Sequence, residues 1–392
     1  MKRTTLCVGV ALTLLPVVGI AQQVPAAGSY KIAATAKVGG AGGFDYVYAD
    51  ASGRRLYVPR TGQGSARIAV FNLDTLEPVG EIPNTAARGA AVDPASGHGF
   101  SSSKPVAMWD TKTLAIIKTI EVQGNPDGIL FDPFNARIWV LSHTAPNATV
   151  INAADGTIVG TVDLGGAPEQ AVTDGKGRLY IDIEDKDKVA VVDARTLSVV
   201  TTYDISSAAK TPAGLAFDVK NQILFVACRN PQIMVIVGAA DGRIITSLPI
   251  GVGVDGAVFN PATMEAFSSQ GDGTLTVIKE ISPTDFKVAQ TVQTQRTAKT
   301  LTLDAATNRI LLIAAEYALP TAPAPGVTAP PAPAAPPAPP VPAAPPVPPV
   351  PPTAAAPPVA PTPPVPPAAP GGRGPARGPM VPGSFAIIVV AR

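Results

Sequence analysis

The chain has 392 residues, 46% of them hydrophobic and only 15% charged, with a formal net charge of +1. That supports a sizeable core and excludes the basic excess of a nucleic-acid surface, so nucleic acid is not expected as a partner. Two cysteines, Cys7 and Cys228, exclude a disulfide framework. The sequence contains no HExxH, GxSxG, phosphate loop, CxxCH or zinc-type cysteine and histidine cluster.

The first element in chain order is residues 1–21. Lys2 and Arg3 precede an apolar run that ends in the small residues Gly19 and Ala21, the pattern of a secretory signal, with cleavage expected after Ala21. An uncleaved anchor fits less well, because the run is short and Pro16 interrupts it. Removing Lys2 and Arg3 from the 30 basic residues leaves 28 against 29 acidic, a formal charge of −1. The mature protein is expected as a monomer in the periplasm or outside the cell, with no membrane span. Its one thiol, Cys228, ends an apolar strand and is expected to be a small buried side chain.

Next comes a repeat. Seven segments share an apolar run ending in Asp or Asn, a short turn and a second apolar run: YVYADASGRRLYV, AAVDPASGHGFSS, ILFDPFNARIWVL, AVTDGKGRLYIDI, LAFDVKNQILFVA, AVFNPATMEAFSS and LTLDAATNRILLI. The anchors are Asp50, Asp93, Asp132, Asp174, Asp218, Asn260 and Asp304, spaced 43, 39, 42, 44, 42 and 44 residues. A period near 42 built of strands and turns predicts an all-β, seven-bladed β-propeller of four-stranded antiparallel blades. Each anchor can accept a hydrogen bond from the backbone two residues on, which folds the first two strands into a hairpin. Tyr57, Phe100, Trp139, Tyr180, Phe225 and Phe267 follow six of the anchors and are expected to fill the space between blades.

At the far end the seventh repeat has only two strands before a proline-rich tract that carries 28 of the 44 prolines. The final FAIIVVAR is predicted to supply its third strand (about 384–392), and YKIAATAKV near the mature N-terminus its fourth (about 30–38). A ring needs that closure, since an open stack of sheets leaves an exposed face and edges. The propeller therefore spans residues 30–317 plus 384–392, and residues 318–383 form an inserted loop of extended polyproline II character. GGRGPARGP near the end of the loop adds two arginines and flexible glycines.

The phrases RLYVPRTGQG, IAVFNLDT and GNPDGILFDP resemble the YVTN-repeat β-propellers, including the YncE-like exported bacterial proteins. The resemblance covers residues 31–317 plus 384–392. It implies the propeller fold and export, and it leaves function open because propellers host unrelated activities.

The residue five places before each anchor enters the innermost strand and should point at the central channel. These are Asp45, Arg88, Asp127, Glu169, Ala213, Asp255 and Lys299, six of seven charged. Loops after the second strands should frame the same mouth with Arg60, Lys104, His143, Glu184 to Lys188 and Arg229; the charge run and His143 read most simply as solvated. His98 falls in a first-hairpin turn on the opposite face. Only Asp127 and Glu169 adjoin with no base between them, too few oxygens for calcium, so neither a metal nor a cofactor is expected.

Three functions remain open. The first is a non-catalytic scaffold of the bacterial envelope, binding an envelope protein or a small polar ligand at the mouth. Architecture resembling that of propeller lactonases leaves a second, a hydrolase with Glu169 as base and Arg88 as anion stabiliser. The third is a structural envelope component.

Overall fold

The computed structural model describes residues 28–62, 64–145, 147–318 and 378–392. The expected signal (1–21) lies outside the described residues, as does the insert apart from 318 and 378–383. Among the described residues, twenty-eight strands, numbered β1 to β28 in chain order, form seven four-stranded antiparallel sheets. Six sheets are consecutive in the chain, at 48–83, 90–120, 126–162, 168–204, 210–249 and 254–293. The seventh has the order β1 (Lys31–Lys37), β28 (Ala386–Ala391), β27 (Arg309–Ala314) and β26 (Leu301–Asp304), as the closure expectation requires.

Burial follows position in the blade. The innermost strand of the second blade, β6 (Ala90–Asp93), is wholly buried, whereas its outermost, β9 (Ile116–Ile120), buries only Ile120. Inner strands are flanked by two blades; outer strands face solvent on their free edge. All seven anchors make the expected turn: Asp50 Oδ1 accepts from Ser52 N at 3.1 Å, Asp174 Oδ1 from Lys176 N at 2.7 Å and Asn260 Oδ1 from Ala262 N at 3.0 Å, and Asp93, Asp132, Asp218 and Asp304 do likewise. The aromatic residues lie between blades: Tyr57 packs on Trp109 of the next blade at 5.6 Å, and Phe225 stacks on Phe259 at 5.3 Å. Cys228 is fully buried.

The seam is held on both faces of the ring. On the anchor side, Arg54 of the first blade makes a bidentate pair with the buried Asp304 of the seventh, at 2.7 and 2.8 Å. Burial alone would raise the Asp304 carboxyl, but hydrogen bonds from Arg54 and Thr307 outweigh it and hold the group down at about 2. On the mouth side lies Arg60, expected on the rim and corrected here. It is fully buried, donates to the carbonyls of Gly39, Gly40 and Gly42, and stacks 3.6 Å above the Phe385 ring. The charge thus clamps the N-terminal loop to the start of β28 instead of facing a ligand.

The described ends of the insert meet beside this clamp. Ala318 N donates to Pro379 O at 2.9 Å, Val381 N donates to Glu316 O at 2.8 Å, and Tyr317 bridges Met380. The chain therefore leaves and re-enters blade seven through one antiparallel neck.

Candidate functional site: a closed ring of ion pairs

The strand-borne channel positions share a local device. Asp127, Glu169, Ala213 and Asp255 each sit where the pairing of the first two strands slips, between Pro126 and Ile129, Pro168 and Ala171, Pro212 and Gly214, and Val254 and Ala257. A bulge turns an inner-strand side chain out of the sheet and toward the axis. Glycine follows in three of the four places, and at Gly128 a Cβ would lie 2.5 Å from the Glu169 carbonyl oxygen, so the neighbouring inner strands approach only because it is absent.

The side chains join into one circuit. Arg88 Nη1 lies 3.3 Å from Asp45 Oδ2 and 3.5 Å from Asp127 Oδ1. His143 Nε2 lies 2.9 Å from Asp127 Oδ2 and 3.0 Å from Glu169 Oε2. Arg229 lies 3.5 Å from Glu169 Oε1 and 2.8 Å from Glu184 Oε1, and it pairs with Asp255. Lys299 pairs with Asp255 and closes the circle at 3.3 Å from Asp45. Acid and base alternate all the way round.

All six charged channel positions read from the sequence are in this ring. Three expectations need correction. His143 is not merely exposed: it fills the gap between Asp127 and Glu169. Arg229 is not a rim residue: it reaches in over Ala213, the one uncharged position, and takes its place in the circuit. Glu184, read as part of a solvated run, partners Arg229, while Lys104 stays outside and donates to Gly124 O.

Two residues that were not among the expected site positions form the floor. Tyr46 reaches from the first blade across the channel and donates to the Glu169 carbonyl oxygen at 3.3 Å. Gln170 Oε1 accepts from Leu215 N and Ala257 N at 2.9 and 3.1 Å, tying three inner strands together. The mouth is therefore a floored cup. A residue adjacent to a channel position, as both of these are, gives the only sequence hint. The cleft of about 360 Å³ lined by Gly64, Arg67, Glu81 and Asn84 lies on the outer part of blade one and holds a half-exposed ion pair, not a convergent set of groups.

Five carboxylates in the cup (Asp45, Asp127, Glu169, Glu184, Asp255) face three permanent cations (Arg88, Arg229, Lys299), with His143 the remaining base. The shortfall shows in acidity. Burial, with the charges of Asp255 and Asp127, outweighs Lys299 and lifts Asp45 to about 6; burial and its acidic neighbours outweigh His143 and lift Glu169 to about 7. Burial, with the charges of Glu169 and Glu184, pushes the wholly buried Asp182 well above the usual carboxylate range. Hydrogen bonds to Asp127 and Glu169 raise His143 to about 10.

A histidine more basic in the folded chain than in the unfolded one stabilises the fold in full below about 6.5 and ceases to do so as pH rises through its folded value. The melting temperature of the protein in chelator should therefore fall between pH 6.5 and 10, and this slope should flatten in His143→Gln. The raised Cys228 thiol contributes only near the top of that window and cancels in the comparison. Equal slopes for the two proteins would place His143 outside the circuit.

Seven four-stranded blades closed around a charged cup define a seven-bladed β-propeller. No protein-family model matches the chain, and no curated protein matches it. Among solved structures it is similar to a chain in "Crystal Structure of Mitotic Checkpoint Complex", with a TM-score of 0.62 at 11% identity, covering 79% of this chain and 95% of that one. At that identity the likeness shows the fold alone.

Proposed function

We propose that the protein is an exported, YncE-like binding scaffold of the bacterial envelope whose charged cup is the recognition site, with the insert as an accessory arm beside it. The carrying observation is the closed ring. Side chains from all seven blades converge on one floored depression, and their acidic surplus favours a ligand or partner group that brings positive charge. The signal-like residues 1–21 support export. The YVTN-like phrases support the family. The paired neck at Tyr317 and Met380 brings both described ends of the insert beside the clamp, and residues 319–377 between them lie outside the described residues.

One observation favours the hydrolase alternative: Glu169, held near 7, has the acidity of a general base at neutral pH. Against it, Arg88 is already engaged by Asp45 and Asp127. The scaffold reading is therefore preferred.

The experiment compares three mature proteins as bait in envelope extract: the wild type, a form with residues 319–377 replaced by a short Gly-Ser turn, and Glu169→Gln. The turn replacement should melt within a few degrees of wild type, because the paired neck and β28 remain, and it should capture less. Glu169→Gln should lose the cup-dependent partner. Identical capture by all three overturns the proposal, as does a cellular protein whose N-terminus is still Met1 and not Gln22.

A further inference from the structure

We propose that Asp127, His143 and Glu169 form a binding site for one divalent transition-metal ion, such as zinc or manganese, at the centre of the cup. This deepens the reading of the cup as a binding site.

The geometry is that of a ligand set. His143 Nε2 points between Asp127 Oδ2 and Glu169 Oε2, at 2.9 and 3.0 Å, and all three atoms lie within 4.8 Å of one another. A single Nε2–H serves two oxygens on different blades only as a bifurcated hydrogen bond, poorly aligned to each. An ion about 2.1 Å from each atom can serve all three, because ligands at right angles around it stand ~3.0 Å apart. Asp127, 3% exposed, is under-satisfied as well: its outer Oδ1 has no hydrogen bond and meets Arg88 only at 3.5 Å, so an ion on Oδ2 would supply charge that this buried carboxylate lacks.

The surroundings match what such a site requires. Arg88 Nη1 and Arg229 Nη2 stand 3.5 Å from the outer oxygens of Asp127 and Glu169, so the two carboxylates are oriented from behind while Oδ2 and Oε2 face the centre. Five carboxylates against three permanent cations leave a deficit that a divalent ion offsets. The His143 side chain is 31% exposed, so the face opposite the protein ligands opens to the mouth and is free for water or a ligand group. One imidazole nitrogen with two carboxylate oxygens selects borderline transition ions; calcium wants six to eight oxygens, which these residues do not supply.

The test uses tag-free mature protein stripped with chelator and titrated calorimetrically with Zn²⁺, Mn²⁺ and Ca²⁺ in turn. One equivalent of Zn²⁺ or Mn²⁺ should bind and raise the melting temperature, and Ca²⁺ should bind at least tenfold more weakly. His143→Gln and Asp127→Asn should each weaken binding at least tenfold while keeping a cooperative melt in chelator. If one variant fails to fold, the other decides. No binding by the wild type, unchanged affinity in a folded variant, or Ca²⁺ equal to Zn²⁺ overturns the site. Partner capture in chelator separates the two readings: capture that persists without metal leaves the scaffold standing if the metal site fails.

Discussion

A protein ending at Ser384 should not fold cooperatively. Truncation removes β28, the strand that pairs with β1 on one side and β27 on the other, so the N-terminal strand loses its only sheet neighbour and blade seven is left with two strands. It also removes Phe385, Ile387, Ile388, Val389 and Val390, all buried, each of which contributes ~1.5–3 kcal/mol by burial. Together these amount to roughly 10 kcal/mol, comparable to the ~5–15 kcal/mol that separates a folded domain from its unfolded state. The Arg60 clamp goes with them, since its stacking partner is Phe385. Thermal denaturation followed by circular dichroism checks this. A sharp transition within a few degrees of wild type would mean that the ring does not close through the C-terminus.

Replacing Arg229 with methionine should cost about 3–5 kcal/mol at pH 7.5, the usual consequence of removing one partner from buried ion pairs. Among the described residues Arg229 is the one permanent cation paired with Glu169 and Glu184, it shares Asp255 with Lys299, and it stands in for the missing charge at Ala213. Without it Glu169, already raised to about 7, loses its permanent cation and holds its proton more tightly. An acid with a raised folded pKa contributes most below its unfolded value and loses that contribution as pH rises through the folded one. The variant should therefore recover stability relative to wild type as pH falls from 7.5 to 5. Guanidinium unfolding at the two pH values measures it. A penalty below 1 kcal/mol, or one that grows on acidification, would show that the circuit is not continuous through Arg229.

The sequence exposed what repeats. A hairpin anchored by Asp or Asn every 42 residues or so is a local device, and each of its seven copies formed the same Asx turn. The closure was legible by counting strands, because β27 ends at Ala314 with its partner missing until Ala386. The position five places before each anchor marked six ring members: Asp127, Glu169 and Asp255 near the bulged starts of inner strands, and Asp45, Arg88 and Lys299 in the segments just before theirs.

What departs from the repeat was not legible. His143 and Arg229 enter the ring from the ends of second strands, and whether such a side chain turns inward depends on the vacancy beside it: the baseless gap between Asp127 and Glu169 for one, Ala213 for the other. Arg60 occupies a comparable place but finds carbonyls and the Phe385 ring, so it is buried as a clamp. Tyr46 and Gln170 bond across the channel to blades far away in sequence, a relation that exists only after the ring has closed.

The circuit is tested most directly by the proton on His143. The chain has two histidines, His98 and His143, so ¹⁵N-histidine labelling gives two imidazole rings whose signals His98→Gln assigns. In chelator at pH 8, His143 should be doubly protonated, losing its proton only toward pH 10, held there by Asp127 and Glu169. A ring that titrates near 6.5, as free histidine does, would contradict the account, because Asp127 and Glu169 would then have no base between them.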